Sequence, residues 1–182
     1  MPAPRDWVSK MLLYHFTAGE NLRAIATEGL TIGDVPTDLA RMKGRIGIWL
    51  TTSESPDGHG LSGSAVDKKR FRLKVDVPDT PLLVRWSEWS LRNVTPLTRE
   101  RLHSLAADGE ANTEWWVCFG WIRPEQILSV LDMRTGDMVE KWASSWAESE
   151  SREGVPFRRR DAWHRRLLKD VKRELVARQL HR

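Results

Sequence analysis

The sequence predicts an α+β domain with a small, mostly antiparallel, split sheet. Short apolar runs rich in strand-forming residues alternate irregularly with segments of helical periodicity, and no regular βαβ pattern runs through the chain. The chain has 182 residues, of which 40% are hydrophobic and 30% are charged. That length allows one domain with room for an appendage, and that composition is typical of a globular protein rather than a disordered one.

The first elements follow from the residue pattern. Residues 11–16 (MLLYHF) form an apolar run that predicts a buried strand. Thr17 to Glu20 (TAGE) match a capping box, which predicts a helix start, and Gly29 suits the end of that helix because glycine tolerates a positive φ. Residues 31–45 lack periodicity and are expected to be a loop. Residues 46–52 (IGIWLTT) predict the second strand.

The later elements are predicted in the same way. Apolar or alternating runs indicate three further strands, over residues 70–77, 82–86 and 114–122. A helix is expected over residues 98–107, with Leu102 and Leu105 pointing inward. Pro124 suits the first turn of a short helix, after which residues 127–133 continue that helix or form a last strand. Most of the ten tryptophans are expected in the core, because indole rings bury a large apolar area.

The C-terminal part of the chain differs in charge from the rest. Residues 1–140 are assigned to the domain, and residues 141–182 to a Trp-containing segment and a basic amphipathic helix packed on it. Residues 157–182 carry a net charge of +7, whereas the net charge of the whole chain is +4. The favoured interpretation is a packed helix with solvated charges; binding of nucleic acid or an acidic protein is the alternative. Four apolar residues at helical spacing define the packed face: Trp163, Leu167, Val171 and Leu175.

Several classes of site are not expected. The single cysteine, Cys118, excludes a disulfide within the chain and suits a reducing cytoplasm, where we expect the protein to reside. Residues 1–10 lack the apolar segment of a signal peptide, and no apolar run is long enough to span a membrane. The scattered histidines have no metal-ligand spacing, so no metal site is expected. Phosphate-binding glycine loops and serine-hydrolase motifs are absent from the sequence.

Two polar residues lie at the ends of predicted strands, where a side chain is placed to face a cleft. His15 ends the first apolar strand, and Glu114 opens the most apolar one, beside two tryptophans. A carboxylate at the mouth of an aromatic cleft is placed to stabilise developing positive charge. Taken alone, a hydrogen-bonded structural histidine and an ordinary boundary glutamate are the favoured interpretations. The glycine-rich segment around His59 either lines a pocket or is a plain surface loop, and the plain loop is favoured. Cys118 is expected to be structural.

Three segments, taken in order, resemble the ADP-ribosyltransferase superfamily. Residues 13–30 (LYHFTAGENLRAIATEGL) resemble the Y-H-x-T, N-L, I, G-L opening of DarT-like enzymes and related small prokaryotic or phage families. Residues 47–52 (GIWLTT) resemble the strand that follows the variable loop. Residues 114–127 (EWWVCFGWIRPEQI) resemble the late strand that begins with the catalytic glutamate. The likeness extends over residues 11–133 and implies an ADP-ribosyltransferase-like fold.

The resemblance implies that NAD is a co-substrate held in a cleft of the split sheet, without a metal. Bond breakage between nicotinamide and ribose passes through an oxocarbenium-like transition state. Glu114 takes the catalytic position, where it holds the ribose and stabilises the positive charge while a protein or nucleic-acid acceptor attacks. The implied setting is a toxin, a phage protein or a component of a defence system.

The resemblance also assigns cofactor contacts. His15 takes the place of the first-strand residue that hydrogen-bonds the NAD ribose, and Thr17 assists at the same turn. Thr51 or Thr52 supplies the hydroxyl of the second strand, and Trp49 forms a pocket wall. The side chains of His15 and Glu114 are expected to line one pocket from neighbouring strands.

The resemblance also gives a role to a basic residue that precedes the second strand. One of Arg41, Lys43 and Arg45 is expected to hold the pyrophosphate or to act as the arginine that DarT-like enzymes use, and Arg45 is nearest to the second strand.

Some features depart from the family pattern. The only tyrosine, Tyr14, lies in the first strand and not in the second. Position 112 is Asn112, so the acidic or amide pair of arginine-modifying members is missing and the acceptor stays open. Two alternatives remain: an RNA 2′-phosphotransferase, which also uses NAD, and a catalytically inactive domain that binds a protein or nucleic acid.

Overall fold

A computed structural model of the protein describes residues 9–64, 66–106, 111–140, 160–162, 164, 165 and 169. Over these ranges the chain forms β1 (Lys10–Thr17), α1 (Leu22–Glu28), β2 (Asp34–Asp38), β3 (Lys43–Ile46), β4 (Ile48–Thr51), β5 (Phe71–Pro78), β6 (Leu83–Arg85), α2 (Trp86–Asn93), α3 (Pro96–Leu105), β7 (Trp115–Cys118) and β8 (Ile127–Asp132). Short 3₁₀ turns lie at Gly19–Asn21, Leu61–Gly63, Ala111–Glu114 and Pro124–Gln126. The predicted α+β class is confirmed. Among the described helices, none has the length and apolarity needed to cross a membrane.

Six strands form one sheet in the order β6–β7–β4–β1–β5–β8, and β2 and β3 form a separate hairpin. All the pairings between these strands are antiparallel, as predicted for most of the sheet. β1 and β5 pair along their whole length, from Lys10 opposite Pro78 to Thr17 opposite Phe71. This register fixes which side chains share a face, because successive residues of a strand point to opposite faces.

The sheet divides between β1 and β4. These two neighbouring strands pair at one position, Tyr14 opposite Thr51. Beside that pair, Nδ1 of His15 lies 2.9 Å from the backbone carbonyl oxygen of Trp49, so a side chain takes the place of a ladder hydrogen bond. The three-stranded halves β6–β7–β4 and β1–β5–β8 therefore diverge at this junction and leave a cleft between them.

One face of the sheet carries an aliphatic core. The alternating pattern of β5 turns every second side chain into this core: Phe71, Leu73, Val75 and Val77. Leu13 of β1 and the α1 residues Leu22 and Ile25 pack against them. Full burial of one such side chain contributes about 1.5–3 kcal/mol, so this face explains why β1, β5 and α1 form a unit.

The opposite face of the β6–β7–β4 half carries an aromatic core. Trp86 of α2 is fully buried, and its ring centroid lies 4.8 Å from that of Trp49 and 6.4 Å from that of Trp115. Val35 of the hairpin and Ala106, which follows α3, close the cluster. The predicted burial of tryptophans holds for Trp86 and Trp115, whereas Trp121 is exposed, and Trp7, Trp142, Trp146 and Trp163 lie outside the described residues. The packed aromatic group covers one wall of the cleft.

The predicted helix start is wrong. Thr17 is the last residue of β1, and α1 begins at Leu22 after a 3₁₀ turn, with no capping hydrogen bond from the side chain of Asn21. The hydroxyl of Thr17 instead accepts a hydrogen bond from the Asn21 amide at 3.1 Å. Gly29 ends α1 as predicted, with a φ of 74°.

Residues 31–45 are not a loop. They contain β2 and β3, which pair with Val35 opposite Arg45, and Val35 is fully buried.

Two further predictions, at Trp86 and Leu105, are also wrong. Trp86 begins a helix instead of ending a strand, because its indole packs into the aromatic core, and Leu105 is 55% exposed instead of pointing inward.

Arg160 anchors the described part of the C-terminal segment. Its buried guanidinium donates hydrogen bonds to the carbonyl oxygens of Phe119 and Gly120, both at 3.0 Å, and of Ile46 at 3.2 Å. The described residues from Arg160 onward are helical, as predicted for the basic amphipathic helix. The remainder of that prediction lies outside the described residues, including all of 141–159 and the apolar positions Trp163, Leu167, Val171 and Leu175.

Candidate functional site in the cleft of the sheet

A cavity of about 400 Å³ opens where the two halves of the sheet diverge. β1 and β4 line its centre, and the β2–β3 hairpin, α3 and the loop after β4 form its walls. Its volume lies within the range of about 300–1,000 Å³ that is usual for ligand sites. Its walls are mainly apolar, with contributions from Phe16, Leu50, Leu61, Leu102, Leu105 and Trp115.

His15 places a hydrogen-bond acceptor in the cavity. Because the Trp49 carbonyl oxygen can only accept, the Nδ1 of His15 must carry the hydrogen, which leaves a lone pair on Nε2. Burial lowers the pKa of His15; the hydrogen bond to Trp49 opposes this, and the positive charge of Lys68 lowers the pKa further. The imidazole is therefore neutral at neutral pH, and no described residue bonds its Nε2.

Two buried threonines also line the cavity. Thr17 is 3% exposed and Thr51 is 4% exposed. The oxygen of Thr17 accepts from Asn21, and that of Thr51 accepts from the backbone N–H of Ser53 at 3.0 Å. Since each oxygen is already an acceptor, each hydroxyl keeps its own hydrogen to donate to a ligand.

The glycine-rich loop is part of the cavity wall, so the expectation of a plain surface loop is wrong. His59 and Gly60 both line the cavity. The indole N–H of Trp115 donates to Nδ1 of His59 at 2.8 Å, and the His59 ring stacks on Phe16 with 6.0 Å between centroids. Burial lowers the pKa of His59, while the nearby charge of Glu114 opposes that shift.

Lys68 lines the cavity, although the sequence analysis did not single it out. Its charge acts on His15, whose pKa it lowers. Lys68 lies in a turn between the glycine-rich loop and β5, where neither periodicity nor a motif marks it. The place of Lys68 in the cavity depends on how this turn packs in the folded chain, so it could not be inferred from the sequence.

Comparison of the chain with protein-family models, with curated proteins and with solved structures finds no match. The interpretation of the cavity therefore depends on its own residues. Within the described ranges, no group of three or more His, Cys, Asp or Glu residues is arranged to hold a metal ion.

The structure brings four of the residues predicted for the cofactor into one cavity. His15, Thr17, Trp49 and Thr51 all line it. The Trp49 indole is held in place because its Nε1–H donates to the carbonyl oxygen of Asp34 at 2.8 Å. This hydrogen bond sets the orientation of the indole that forms part of the cavity wall.

Glu114 and Thr52 do not line the cavity. They lie at its β7 end, where the backbone N–H of Thr52 donates to the carbonyl oxygen of Glu114 at 3.2 Å. Glu114 is half-buried and lies near His59. The expectation that His15 and Glu114 occupy neighbouring strands is wrong, because β4 separates β1 from β7.

The three basic residues predicted to hold a pyrophosphate lie outside the cavity lining. The guanidinium of Arg45 stacks over the ring of Phe119, 4.0 Å from its centroid. Arg41 forms an ion pair of 3.5 Å with Asp38. Lys43 begins β3 and is exposed. The hairpin that was expected to be a loop directs these side chains away from the cleft.

Tyr14 lines the cavity and is hydrogen-bonded to an ion pair that lies outside the lining. Its hydroxyl donates to the Glu54 carboxylate at 2.7 Å, and the other carboxylate oxygen pairs with Arg72 at 2.8 Å. The Arg72 guanidinium also lies 5.0 Å from the centroid of the Tyr14 ring. The hydrogen bond to Glu54 raises the pKa of Tyr14, so the hydroxyl stays protonated and keeps this hydrogen bond.

Proposed function

We propose that the protein is an NAD-dependent ADP-ribosyltransferase that transfers ADP-ribose to a macromolecular acceptor, either a protein or a nucleic acid. The cavity at the divergence of β1 and β4 carries the proposal. It is lined by His15, Thr17, Trp49 and Thr51, to which the resemblance assigns cofactor contacts. A sheet divided by a cleft also agrees with the fold that the resemblance implies.

The polar groups of the cavity suit the nicotinamide ribose. Nε2 of His15 accepts a hydrogen bond from a ribose hydroxyl, and the threonine hydroxyls donate to ligand oxygens. Trp49 and Trp115 meet edge to face, with 5.7 Å between ring centroids, and offer apolar surface against which the nicotinamide ring packs. The N-glycosidic bond breaks with its electron pair on nicotinamide, and the acceptor then bonds to the ribose carbon and loses a proton.

Glu114 stabilises the positive charge that develops on the ribose in this reaction. It directly precedes β7 and lies close enough to His59 for its charge to act on the pKa of that imidazole. The proposal requires the carboxylate to turn from this position towards the ribose when NAD binds.

Turnover of NAD tests the proposal. The purified protein is incubated with labelled NAD, with and without cell lysate, and release of nicotinamide and transfer of label are measured. Glu114→Gln should lower turnover by about 100-fold or more while the fold is retained, as expected for loss of a group that stabilises the transition state. Glu125→Gln, an exposed glutamate after β7, is the matched control. Absence of turnover in the wild-type protein would overturn the proposal.

A second candidate function is binding without catalysis. The observation that favours it is the position of Glu114 outside the cavity lining. In that case NAD or ADP-ribose binds with the same affinity to the wild type and to Glu114→Gln, and neither protein releases nicotinamide. The biological effect of the protein would then survive the substitution.

A further inference from the structure

Three consecutive cations, Lys68, Lys69 and Arg70, precede β5, and they have different surroundings. Lys69 pairs with Asp57 at 2.9 Å, and Arg70 pairs with Asp132 at 3.1 Å. Both are therefore paired with a carboxylate, and neither lines the cavity. Lys68 lines the cavity, and no carboxylate of the described residues lies within ion-pair distance of it.

Lys68 and His15 line the same cavity. The positive charge of Lys68 is one of the causes that lower the pKa of His15. The acidic residue of the lining, Asp34, lies beside Trp49, whose indole N–H donates to the Asp34 carbonyl oxygen. Burial raises the pKa of Asp34, and the charge that opposes this shift comes from His164 and not from Lys68.

An uncompensated ammonium beside an apolar cavity attracts an anionic group of a ligand. The ammonium has three hydrogens to donate and forms charge-assisted hydrogen bonds with phosphate oxygens. The cavity lining offers no other cation among the described residues. The neutral state of His15 and His59 at neutral pH leaves Lys68 as the positive charge of this site.

We infer that Lys68 binds the diphosphate of the dinucleotide and thereby places the ribose next to Nε2 of His15. The inference rests on the proposed function for the identity of the ligand. Lys68 is then the diphosphate contact in place of Arg41, Lys43 and Arg45. Ligands with a diphosphate should therefore bind better than the corresponding nucleosides, and added salt should reduce that advantage because it screens the charge.

Titrations that follow tryptophan fluorescence test the inference, because Trp49 and Trp115 line the cavity. The ligands are ADP-ribose, which carries the diphosphate, and adenosine, which does not. Lys68→Gln should weaken ADP-ribose binding by about tenfold or more, the effect of losing a hydrogen bond to a charged group. Adenosine binding should be unchanged. Lys69→Gln is the matched control, since its ammonium is paired with Asp57 outside the cavity, and it should bind both ligands as the wild type does.

The outcomes separate this inference from the proposed function. Equal ADP-ribose affinity for Lys68→Gln and Lys69→Gln, in a protein that consumes NAD, would overturn the role of Lys68 and leave the transferase proposal in place. Binding of ADP-ribose that depends on Lys68, in a protein that does not consume NAD, would support the inference and overturn the transferase proposal. Equal losses of ADP-ribose and adenosine binding in Lys68→Gln, or no ADP-ribose binding by the wild type, would contradict the diphosphate contact.

Discussion

The indole N–H of Trp115 donates a 2.8 Å hydrogen bond to Nδ1 of His59. This bond ties the glycine-rich loop to β7 across the mouth of the cavity. Because an indole nitrogen only donates, Nδ1 of His59 must be unprotonated for the bond to exist. The wall of the cavity therefore depends on a neutral imidazole.

This dependence predicts that the protein loses stability in acid. Burial lowers the pKa of His59 below the ordinary value of 6.5, and it also lowers the pKa values of His15 and His103. Below 6.5 the unfolded chain therefore binds more protons than the folded chain, so the free energy of unfolding rises with pH in that window. Stability is complete above 6.5 and is lost as the pH falls through the lowered pKa values. Urea unfolding at about pH 7.5 and about pH 5.5 measures the difference.

Two substitutions test how much His59 contributes to the pH dependence of the free energy of unfolding. His59→Asn keeps an acceptor near the position of Nδ1 but does not titrate, so its stability should change less with pH than that of the wild type. His59→Ala leaves the buried Trp115 N–H without an acceptor and should cost about 1–3 kcal/mol at neutral pH. The same pH dependence in the wild type and in His59→Asn would contradict this assignment.

His15 and His103 form a matched pair for testing the cavity. Burial lowers the pKa of both, but His15 lines the cavity, whereas His103 accepts the Trp86 indole N–H at 3.0 Å. His15→Asn keeps a donor towards the Trp49 carbonyl and loses the Nε2 acceptor. It should weaken NAD binding about three- to tenfold, the worth of one neutral hydrogen bond. His103→Gln keeps an acceptor for Trp86 and should bind NAD as the wild type does; equal losses in both variants would contradict a ribose contact at His15.

The elements that the sequence predicted well are those with a regular apolar pattern. β5 alternates without interruption, and β1 is a continuous apolar run, so burial itself determined both strands. The β2–β3 hairpin escaped prediction because Asp34–Asp38 contains two aspartates and a proline. Only its packing reveals it, through Val35 in the aromatic core. Local propensity favoured a loop there, and tertiary contacts outweighed it.

The candidate site was predictable to the extent that its residues lie on strands. His15 was identified because it lies near the end of the first apolar run, and Thr51 was assigned through the resemblance. In the structure both lie at the junction of β1 and β4. His59 and Lys68 were not identified as site residues, since both lie in segments without periodicity. Their places in the cavity follow from long-range contacts, such as the bond between His59 and Trp115, which are 56 positions apart.

Arg160 should contribute strongly to stability. It is 7% exposed and donates to three backbone carbonyl oxygens, and burial lowers its pKa. Arg160→Ala removes these charge-assisted hydrogen bonds and leaves the Phe119 and Gly120 carbonyls without this donor, so the free energy of unfolding should fall by about 2–3 kcal/mol. Arg165→Ala is the control, because Arg165 is exposed, and it should change stability by less than about 0.5 kcal/mol. Equal effects in urea unfolding would show that Arg160 is not an anchor.

Alanine substitutions at Gly29 and Gly136 can separate the free-energy cost of a positive φ from the cost of a steric clash. Both have a positive φ, 74° and 78°. A Cβ at Gly136 would meet nothing within 4 Å, whereas a Cβ at Gly29 would lie 2.2 Å from the carbonyl oxygen of Ile122. That oxygen accepts the N–H of Leu30 at 2.8 Å, so its displacement would also break the bridge that holds the end of α1 to the segment after β7.

We therefore predict that alanine is tolerated unequally at these two positions. Gly136→Ala should cost about 1–2 kcal/mol, the penalty for a left-handed conformation in a residue with a Cβ. Gly29→Ala should cost more than this, since its φ of 74° and ψ of −167° lie in a region adopted almost solely by glycine and the clash with Ile122 adds to the strain. Urea unfolding of Gly29→Ala and Gly136→Ala under the same conditions measures the two free energies of unfolding and tests this prediction. Equal costs would mean that the segment after β7 moves freely and that its contact with α1 does not stabilise the fold.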